Sequence, residues 1–475
     1  MKERPTPGTR EAGSAFDDTI VAISTPPGEG GIAVVRLSGR EAIPITDRLF
    51  RGRRQLAVVG THTVHHGLIV GGDGNAALDE VLASVMHAPH TYTCEDVVEI
   101  SCHGGRMAAR TVLEALVQQG ARLAGPGEFT RRAFLNGRID LAQAEAVVDV
   151  VRARTSRALT VAMRQLSGGL SRQVQEIRGR FLDLVARMEA TLDFPEEEIP
   201  QVSREVVRGE IEQTSSRLRR LLEGSRIGTA LREGVSVAIV GKPNVGKSTL
   251  FNALLGADRA IVSPDPGTTR DVLEGWTEIE GIPVRLIDGA GIRSGTDGIE
   301  REGIRRARAV IDEASALLVM VDASSALTSE DEDVIVACRG KQVVVVLNKC
   351  DLPQAISRTD MRGHPSCGGR AILEVSSLTG AGLGELKSVA GGLLADGWRS
   401  CVDEEVLMCN MRHIEAVRGA VQALERARGA LDDGYPDDLI VADLVEGLHR
   451  LGEVIGEDIS DDILDRIFSE FCIGK

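Results

Sequence analysis

The stretch Gly241-Lys242-Pro243-Asn244-Val245-Gly246-Lys247-Ser248 has residue types and spacing suited to holding phosphate. Gly241 and Gly246 let backbone amides turn toward an anion, and the start of the following helix adds partial positive charge. Lys247 reaches the outer phosphates as a candidate catalytic group, and the Ser248 hydroxyl suits magnesium. Asn244, Val245, Gly246, Lys247, Ser248 and Thr249 are thus the predicted phosphate-side contacts. The context agrees, since the apolar run from Val235 to Val240 leads in as a strand and Thr249 to Leu255 reads as the first turns of a helix.

Farther along, Asn348-Lys349-Cys350-Asp351 follows the apolar run Val343 to Leu347, at the carboxyl edge where parallel sheets bind ligands. A carboxylate at Asp351 accepts hydrogen bonds from the ring N–H and exocyclic amine of guanine, which adenine does not present there. Asn348 and Lys349 are expected to brace the loop and the base. Ser376, Ser377 and Leu378 are expected to form a further guanine-contacting loop. Two segments suit a γ-phosphate response, Gly267-Thr268-Thr269-Arg270-Asp271 and Asp288-Gly289-Ala290-Gly291. In that reading Thr269 gives magnesium a second hydroxyl, Asp288 holds its water shell, and the Gly291 amide meets the γ-phosphate. Ile292 stands where Ras-like enzymes carry a water-orienting glutamine, and an isoleucine cannot orient water. Asn244 and the segment from Ser263 to Thr268 offer oxygens to a monovalent cation. Glu300, read by its neighbours alone, is a solvated helix residue paired near Arg301 or Arg305.

The elements that must position these groups imply several domains. At 475 residues the chain exceeds one ordinary core. From Val235 to about Leu386 short apolar strands alternate with helices, which predicts a doubly wound, mainly parallel sheet. Asp18 to Asn136 reads as α+β, with strands at Thr19 to Ile23 and Gly31 to Leu37 and a helix at Arg106 to Val117. Leu141 to Arg232, Glu404 to Arg428, Leu439 to Leu451 and Asp461 to Phe471 carry helical periodicity. The expected organisation is a flexible extension over 1–17, an α+β domain over 18–136, a first helical half over 137–232, a Ras-like P-loop domain over 233–390, and a second helical half over 391–475. A separate small helical domain after residue 390 is the competing partition. Two glycine clusters, Pro26 to Gly31 and His103-Gly104-Gly105, could present amides to a ligand or serve only as turn and helix-start chemistry.

Composition narrows the function classes. A net charge of −15 argues against a surface that everywhere grips phosphate backbones, and 3% aromatic residues offer few platforms for stacked bases. Arginines at 152, 154, 157 and 164 and at 217, 219 and 220 read as solvated helix faces. The eight cysteines show no C-x-x-C pair and no zinc spacing with histidine, which fits a reducing, cytoplasmic setting. No run approaches a membrane span.

Assembled, these residues resemble the MnmE (TrmE) family of tRNA modification GTPases, from about Asp18 to Lys475. The resemblance is carried by Asp18-Thr19-Ile20 with Thr25-Pro26-Pro27-Gly28 and Arg36-Leu37-Ser38-Gly39, by Gly127-Glu128-Phe129 with Arg132-Ala133-Phe134-Leu135-Asn136, by the nucleotide motifs, and by Phe471-Cys472-Ile473-Gly474-Lys475. It implies a homodimer whose N-terminal domains pair and bind a 5-formyl- or 5,10-methylene-tetrahydrofolate, with Arg36, Glu99, Arg138 and Lys475 as contacts. It also implies potassium held by Asn244, Ser263, Asp265 and Thr268, magnesium held by Ser248 and Thr269, and Glu300 as the residue that orients water. The implied partner is the flavoprotein MnmG, in a heterotetramer that builds aminomethyl-type groups, carboxymethylaminomethyl among them, at C5 of the wobble uridine of certain tRNAs. Cys472 is either a group acting near the folate or a small terminal hydrophobe.

Departures from the family pattern are Gly289 for a threonine, Glu29 for a basic residue, and Asp265-Pro266 for an apolar-small pair. Gly289 is expected to loosen its segment. Two other readings are a ribosome-assembly GTPase of the Era or Der kind, and a GTP-gated scaffold without useful turnover.

Overall fold

The computed structural model describes residues 18–71, 76–193, 202–256, 273–289, 308–394 and 406–475. Two compact units emerge, one from Met1–Val148 with Gly452–Lys475 and one from Asp149–Leu451.

In the first unit β1 (Ile20–Ile23), β2 (Ile32–Ser38), α1 (Ala42–Leu49), β3 (Phe50–Gly52), β4 (Thr63–Val70), β5 (Ala77–Met86), β6 (Val97–His103), α2 (Arg106–Gln118) and β7 (Arg122–Leu123) build one sheet with two covering helices. Its order is β3-β4-β5-β6-β2-β1-β7, antiparallel except for the β1–β7 pair. Alternation decides which side is buried: Val35, Leu37, Val81, Val85, Val98 and Ile100 point into a core shared with α1 and α2. The register places Ile32, Val64, Leu68 and Leu82 on the other side, where each is exposed.

A smaller core joins α3 (Glu128–Leu135), the start of α4 (Leu141–Arg152) and α15 (Asp461–Ser469), through Ala133, Leu141, Leu464, Phe468 and Phe471. Gly127, left-handed at φ 64, accepts α15 closely, since a Cβ there would lie 2.7 Å from the Phe468 carbonyl. The two glycine clusters serve each other: the Gly30 amide donates to the Gly104 carbonyl at 2.8 Å, and a Cβ on Gly104 would overlap the Gly30 carbonyl. Gly105 caps α2. The helix-start reading of that segment therefore holds.

The second unit contains α5 (Ser156–Leu166), α6 (Gly169–Asp193), α7 (Arg204–Glu223) and α8 (Ser225–Glu233) before the sheet. The sheet elements are β8 (Val235–Val240), α9 (Lys247–Gly256), β9 (Leu273–Ile279), β10 (Ile282–Asp288), β11 (Ala316–Asp322), α10 (Ser329–Ala337), β12 (Gln342–Asn348), α11 (Arg358–Arg362), β13 (Ala371–Val375) and α12 (Leu383–Leu394). After it come α13 (Met411–Asp432) and α14 (Asp437–Ile455). Strand order is β13-β12-β11-β8-β10-β9, parallel except for β9, which returns antiparallel on β10. The strands are apolar on both faces because each face carries its own core, as crossover helices require.

The helices on either side of the sheet pack together. α7 lies along α13, with Arg208 on Asp432 at 2.7 Å and Arg219 on Glu425 at 2.6 Å. The P-loop domain is thus inserted into a helical domain, and the alternative of an independent helical domain after residue 390 does not match this packing. Gly452–Lys475, expected within the second helical half, makes its contacts in the first unit, because Leu464, Phe468 and Phe471 complete the apolar core under α3.

Candidate nucleotide site and a second polar cluster

The phosphate loop lies between β8 and α9 as its sequence requires. Gly246 is left-handed at φ 98, and a Cβ there would overlap the Asn348 amide nitrogen. At Gly241 a Cβ would come within 2.6 Å of the Met320 carbonyl. Asn244, at φ 64, takes a left-handed conformation that asparagine tolerates better than most residues. Lys247 is buried, and its Nζ donates to the carbonyls of Gly241 and Lys242, both at 2.8 Å. Burial pushes its pKa below the usual lysine range, and the Asp288 carboxylate opposes that shift. The loop carbonyls occupy the ammonium, and a phosphate would be a stronger, charged acceptor.

Ser248 donates to Asp288 Oδ2 at 2.8 Å, and Asp288 is buried at the end of β10. A hydroxyl facing a carboxylate is hard-oxygen chemistry, fit for magnesium with Ser248 as ligand and Asp288 behind its waters. Gly289, expected to loosen this segment, follows the last residue of β10 and is tied to β8: its amide donates to the Ile239 carbonyl at 3.1 Å, and a Cβ there would stand 2.8 Å from the same oxygen. Ser263, Asp265, Thr268, Thr269, Gly291, Ile292 and Glu300 lie outside the described residues.

Asn348 is a brace. Its Nδ2 donates to the Val245 carbonyl at 2.7 Å, while its Oδ1 accepts from the Ser377 amide at 2.9 Å and the Ser377 hydroxyl at 2.8 Å. This one buried side chain ties the phosphate loop to the Ser376-Ser377 loop. Lys349 is left-handed at φ 68, and its ammonium donates to Asp322 Oδ2 at 2.6 Å. Burial pushes the Asp322 carboxyl up, but bonds from Lys349 and Ser324 outweigh it and hold the pKa below the usual range. Asp351 is exposed, with Oδ1 accepting from the Ser376 hydroxyl at 2.6 Å. Leu378 is 80% exposed, so it is free to cover a base. The sequence reading missed Asp322, whose only signal was an acidic residue ending an apolar strand.

In the first unit Arg36, Glu99, Arg138 and Lys475 come from β2, β6, the segment after α3 and the C-terminal tail. Arg36 Nε donates to Glu99 Oε1 at 2.8 Å, since the two residues are direct partners across the β2–β6 register. Tyr92, which the sequence reading missed, is the centre of the group. The Arg138 guanidinium lies 4.8 Å and that of Arg36 5.5 Å from its ring centroid. Its hydroxyl pairs with Thr130 at 2.8 Å. The tail is pinned by Ser24, whose hydroxyl donates to the Gly474 carbonyl at 3.1 Å, and by a bridge between Pro126 and Ile473. Burial and the neighbouring Arg36 push the Lys475 pKa down, with Cys472 opposing. Cys472 itself is exposed, so it does not behave as a small buried hydrophobe.

Beneath the cluster Arg132 is fully buried. It donates to Asp18 Oδ1 at 2.6 Å, Glu128 Oε1 at 3.1 Å and Glu95 Oε2 at 3.2 Å. This charged hub fixes α3 against β1 and thereby Phe129 and Tyr92. Among the described residues no group of three or more His, Cys, Asp or Glu side chains is arranged to hold a metal, and no helix is long and apolar enough to cross a membrane.

Two family models match the chain: the GTP-binding protein TrmE N-terminus over residues 19–138 and the MnmE helical domain over residues 141–472. Among curated relatives, the tRNA modification GTPase MnmE of Geobacillus thermodenitrificans is 44% identical over 461 residues, covering 96% of this chain and 99% of the relative. The MnmE of Acetivibrio thermocellus is 41% identical over 459 residues, covering 97% and 99%. A solved structure, the G domain of the T. maritima FeoB iron transporter, is 26% identical, covers 34% of this chain and 98% of that one, and has a TM-score of 0.27. Both family models and the near-complete span of these relatives lead to one conclusion: the chain belongs to the MnmE family of tRNA modification GTPases.

Proposed function

We propose that this chain hydrolyses GTP and couples the cycle to folate-dependent tRNA modification. The observation that carries the reading is the brace at Asn348, which joins a phosphate loop to a guanine-type loop in which Asp351 is presented by Ser376. Magnesium would be held by Ser248 and Thr269, and potassium by Asn244, Ser263, Asp265 and Thr268. The first offsets phosphate charge, and the second substitutes for an arginine finger. Glu300 is proposed to orient water in place of Ile292.

The cluster around Tyr92 supports the folate assignment. Glu99 offers a carboxylate to a pterin edge, while Arg138 and Lys475 offer cations to a glutamate tail. The sheet face on which Ile32, Val64, Leu68 and Leu82 are exposed among polar residues supports pairing of two copies through the first unit, because large apolar side chains grouped on one face suit an interface. Partnership with an MnmG-type flavoprotein in a heterotetramer, action at C5 of the wobble uridine, and a cytoplasmic location complete the proposal.

GTP turnover in potassium against sodium tests the hydrolytic half. Faster turnover in potassium is expected, and near-zero rates in both salts would favour the scaffold reading. Nucleoside analysis of tRNA from a strain lacking this protein tests the other half. Unmodified wobble uridines are expected there, and an unchanged set would end that claim.

A further inference from the structure

β9 and β10 pair along their whole length, from Ile282 with Ile279 to Asp288 with Leu273. At the open end of this hairpin Asp288 faces Ser248. At the closed end Glu280 and Gly281 turn the chain in left-handed conformations, at φ 54 and 82. Seven residues of strand put the two ends about 20 Å apart. An unbroken antiparallel ladder, hydrogen-bonded at alternate register positions, makes the pair stiff along that length.

The closed end is held by the helical segment. Thr155 donates from Oγ1 to the Gly281 carbonyl at 2.9 Å while accepting from the Ala158 amide at 3.2 Å, so one hydroxyl both caps α5 and ties the turn. Beside it the Arg154 guanidinium stacks 3.8 Å from the centroid of the Trp276 ring in β9. The same ring lies against Gly234, the left-handed link from α8 into β8, where a Cβ would overlap it. Behind the α4–α5 junction is a cavity of about 350 Å³ lined by Arg152, Ala158, Val161 and Leu231. Ala158 and Leu231 also pack into the apolar core that holds Ile279 and Ile282, and the Arg154 and Thr155 contacts add the directional bonds that locate the turn against it.

We propose that Arg154 and Thr155 are positioning residues for Asp288, acting through the β9–β10 hairpin on the place where magnesium meets the nucleotide. The proposal rests on the GTPase reading and deepens it: the helical domain sets the metal affinity of the nucleotide site. Linkage makes the coupling reciprocal, so magnesium nucleotide alters the environment of Trp276.

The test uses the full chain with Arg154→Met, Thr155→Val and Thr155→Ser. Magnesium titrations of GTP turnover should show the half-saturating concentration raised roughly five- to tenfold in Arg154→Met and Thr155→Val. Affinity for GDP without magnesium should stay within about twofold, since those contacts lie far from the hairpin turn. Thr155→Ser keeps the hydroxyl and should restore the magnesium dependence. In a Trp398→Phe background Trp276 is the sole indole, and magnesium GDP should shift its emission only while Arg154 is present. An unchanged magnesium dependence in both variants overturns the proposal. So does a magnesium-free GDP affinity that falls in step with turnover, which marks general damage. If the unaltered chain shows no magnesium-dependent nucleotide binding, the GTPase reading falls and this inference with it.

Discussion

The nucleotide loop and the Tyr92 cluster solve the same problem, presenting charge to an anionic ligand, in opposite ways. Around the loop three of the described groups are already engaged by their own chain: Lys247 by loop carbonyls, Asn348 by Val245 and Ser377, Lys349 by Asp322. Around Tyr92 the described side chains are mainly cationic, with Arg36, Arg138 and Lys475 near the carboxylate of Glu99 and with Lys475 depressed in pKa. The first site gains specificity by exchanging satisfied bonds for better ones. The second stores unfavourable charge that a ligand relieves.

Predictions that break or sharpen this contrast run from large to small. Arg132→Met removes the hub under the second site and with it the guanidinium that buried Glu95 accepts from. It should cost about 3–5 kcal/mol in the stability of the first unit, read by denaturant unfolding. Magnesium nucleotide binding should persist if the sites are independent. Lys247→Ala should weaken GTP binding on the order of a hundredfold or more, because it removes the charged donor of the phosphate loop. Titration with a fluorescent GTP analogue reads this, and a loss below about fivefold would show that the loop carbonyls, not phosphate, are the lysine's lasting partners. Asp351→Asn should cost about 1–3 kcal/mol of guanine preference while sparing the phosphate grip, read by competition between GTP and xanthosine triphosphate.

The smallest effect is protonic. Burial lowers the Lys475 pKa, so the folded chain releases its proton at lower pH than an unfolded lysine does. The stability penalty is present at neutral pH and disappears only as pH rises through the ordinary lysine value. A carboxylate ligand that restores the charge should take up protons at alkaline pH, measurable by calorimetry in buffers of different ionisation heat. Glu128 has the opposite sign. Burial pushes it up, but Arg122, the Gly125 amide and Arg132 outweigh that and depress its pKa. Its contribution is full above the ordinary carboxylate range and is lost as pH falls through the depressed folded value.

The same contrast explains what could be read from sequence. The loop from Gly241 to Ser248 and the run from Asn348 to Asp351 are contiguous, and their geometry follows from local strand, turn and helix chemistry. Tyr92 lies 38 residues from Thr130, its hydroxyl partner, and Arg36 lies 438 residues from Gly474, whose carbonyl it reaches at 3.4 Å. No local period encodes such contacts, so the family resemblance supplied the four charged residues and not the ring between them. β9 was missed because Leu273–Ile279 mixes Gly, Glu and Trp in an edge strand half open to solvent. The inserted P-loop domain was legible from alternation. The return of Gly452–Lys475 to the first unit was not, because an amphipathic helix does not name its partner.

That returning tail has a consequence for biosynthesis. The first unit needs Leu464, Phe468 and Phe471 to close the core under α3, yet about 300 residues are translated between its two parts. At roughly 5–20 residues per second the ribosome takes about 15–60 s to supply them. Through that interval Ala133, Leu141 and Phe134 stand uncovered, so a nascent chain paused within the nucleotide-binding domain is a natural client for chaperones. Folding of the first unit is completed only after nearly the whole chain has been made.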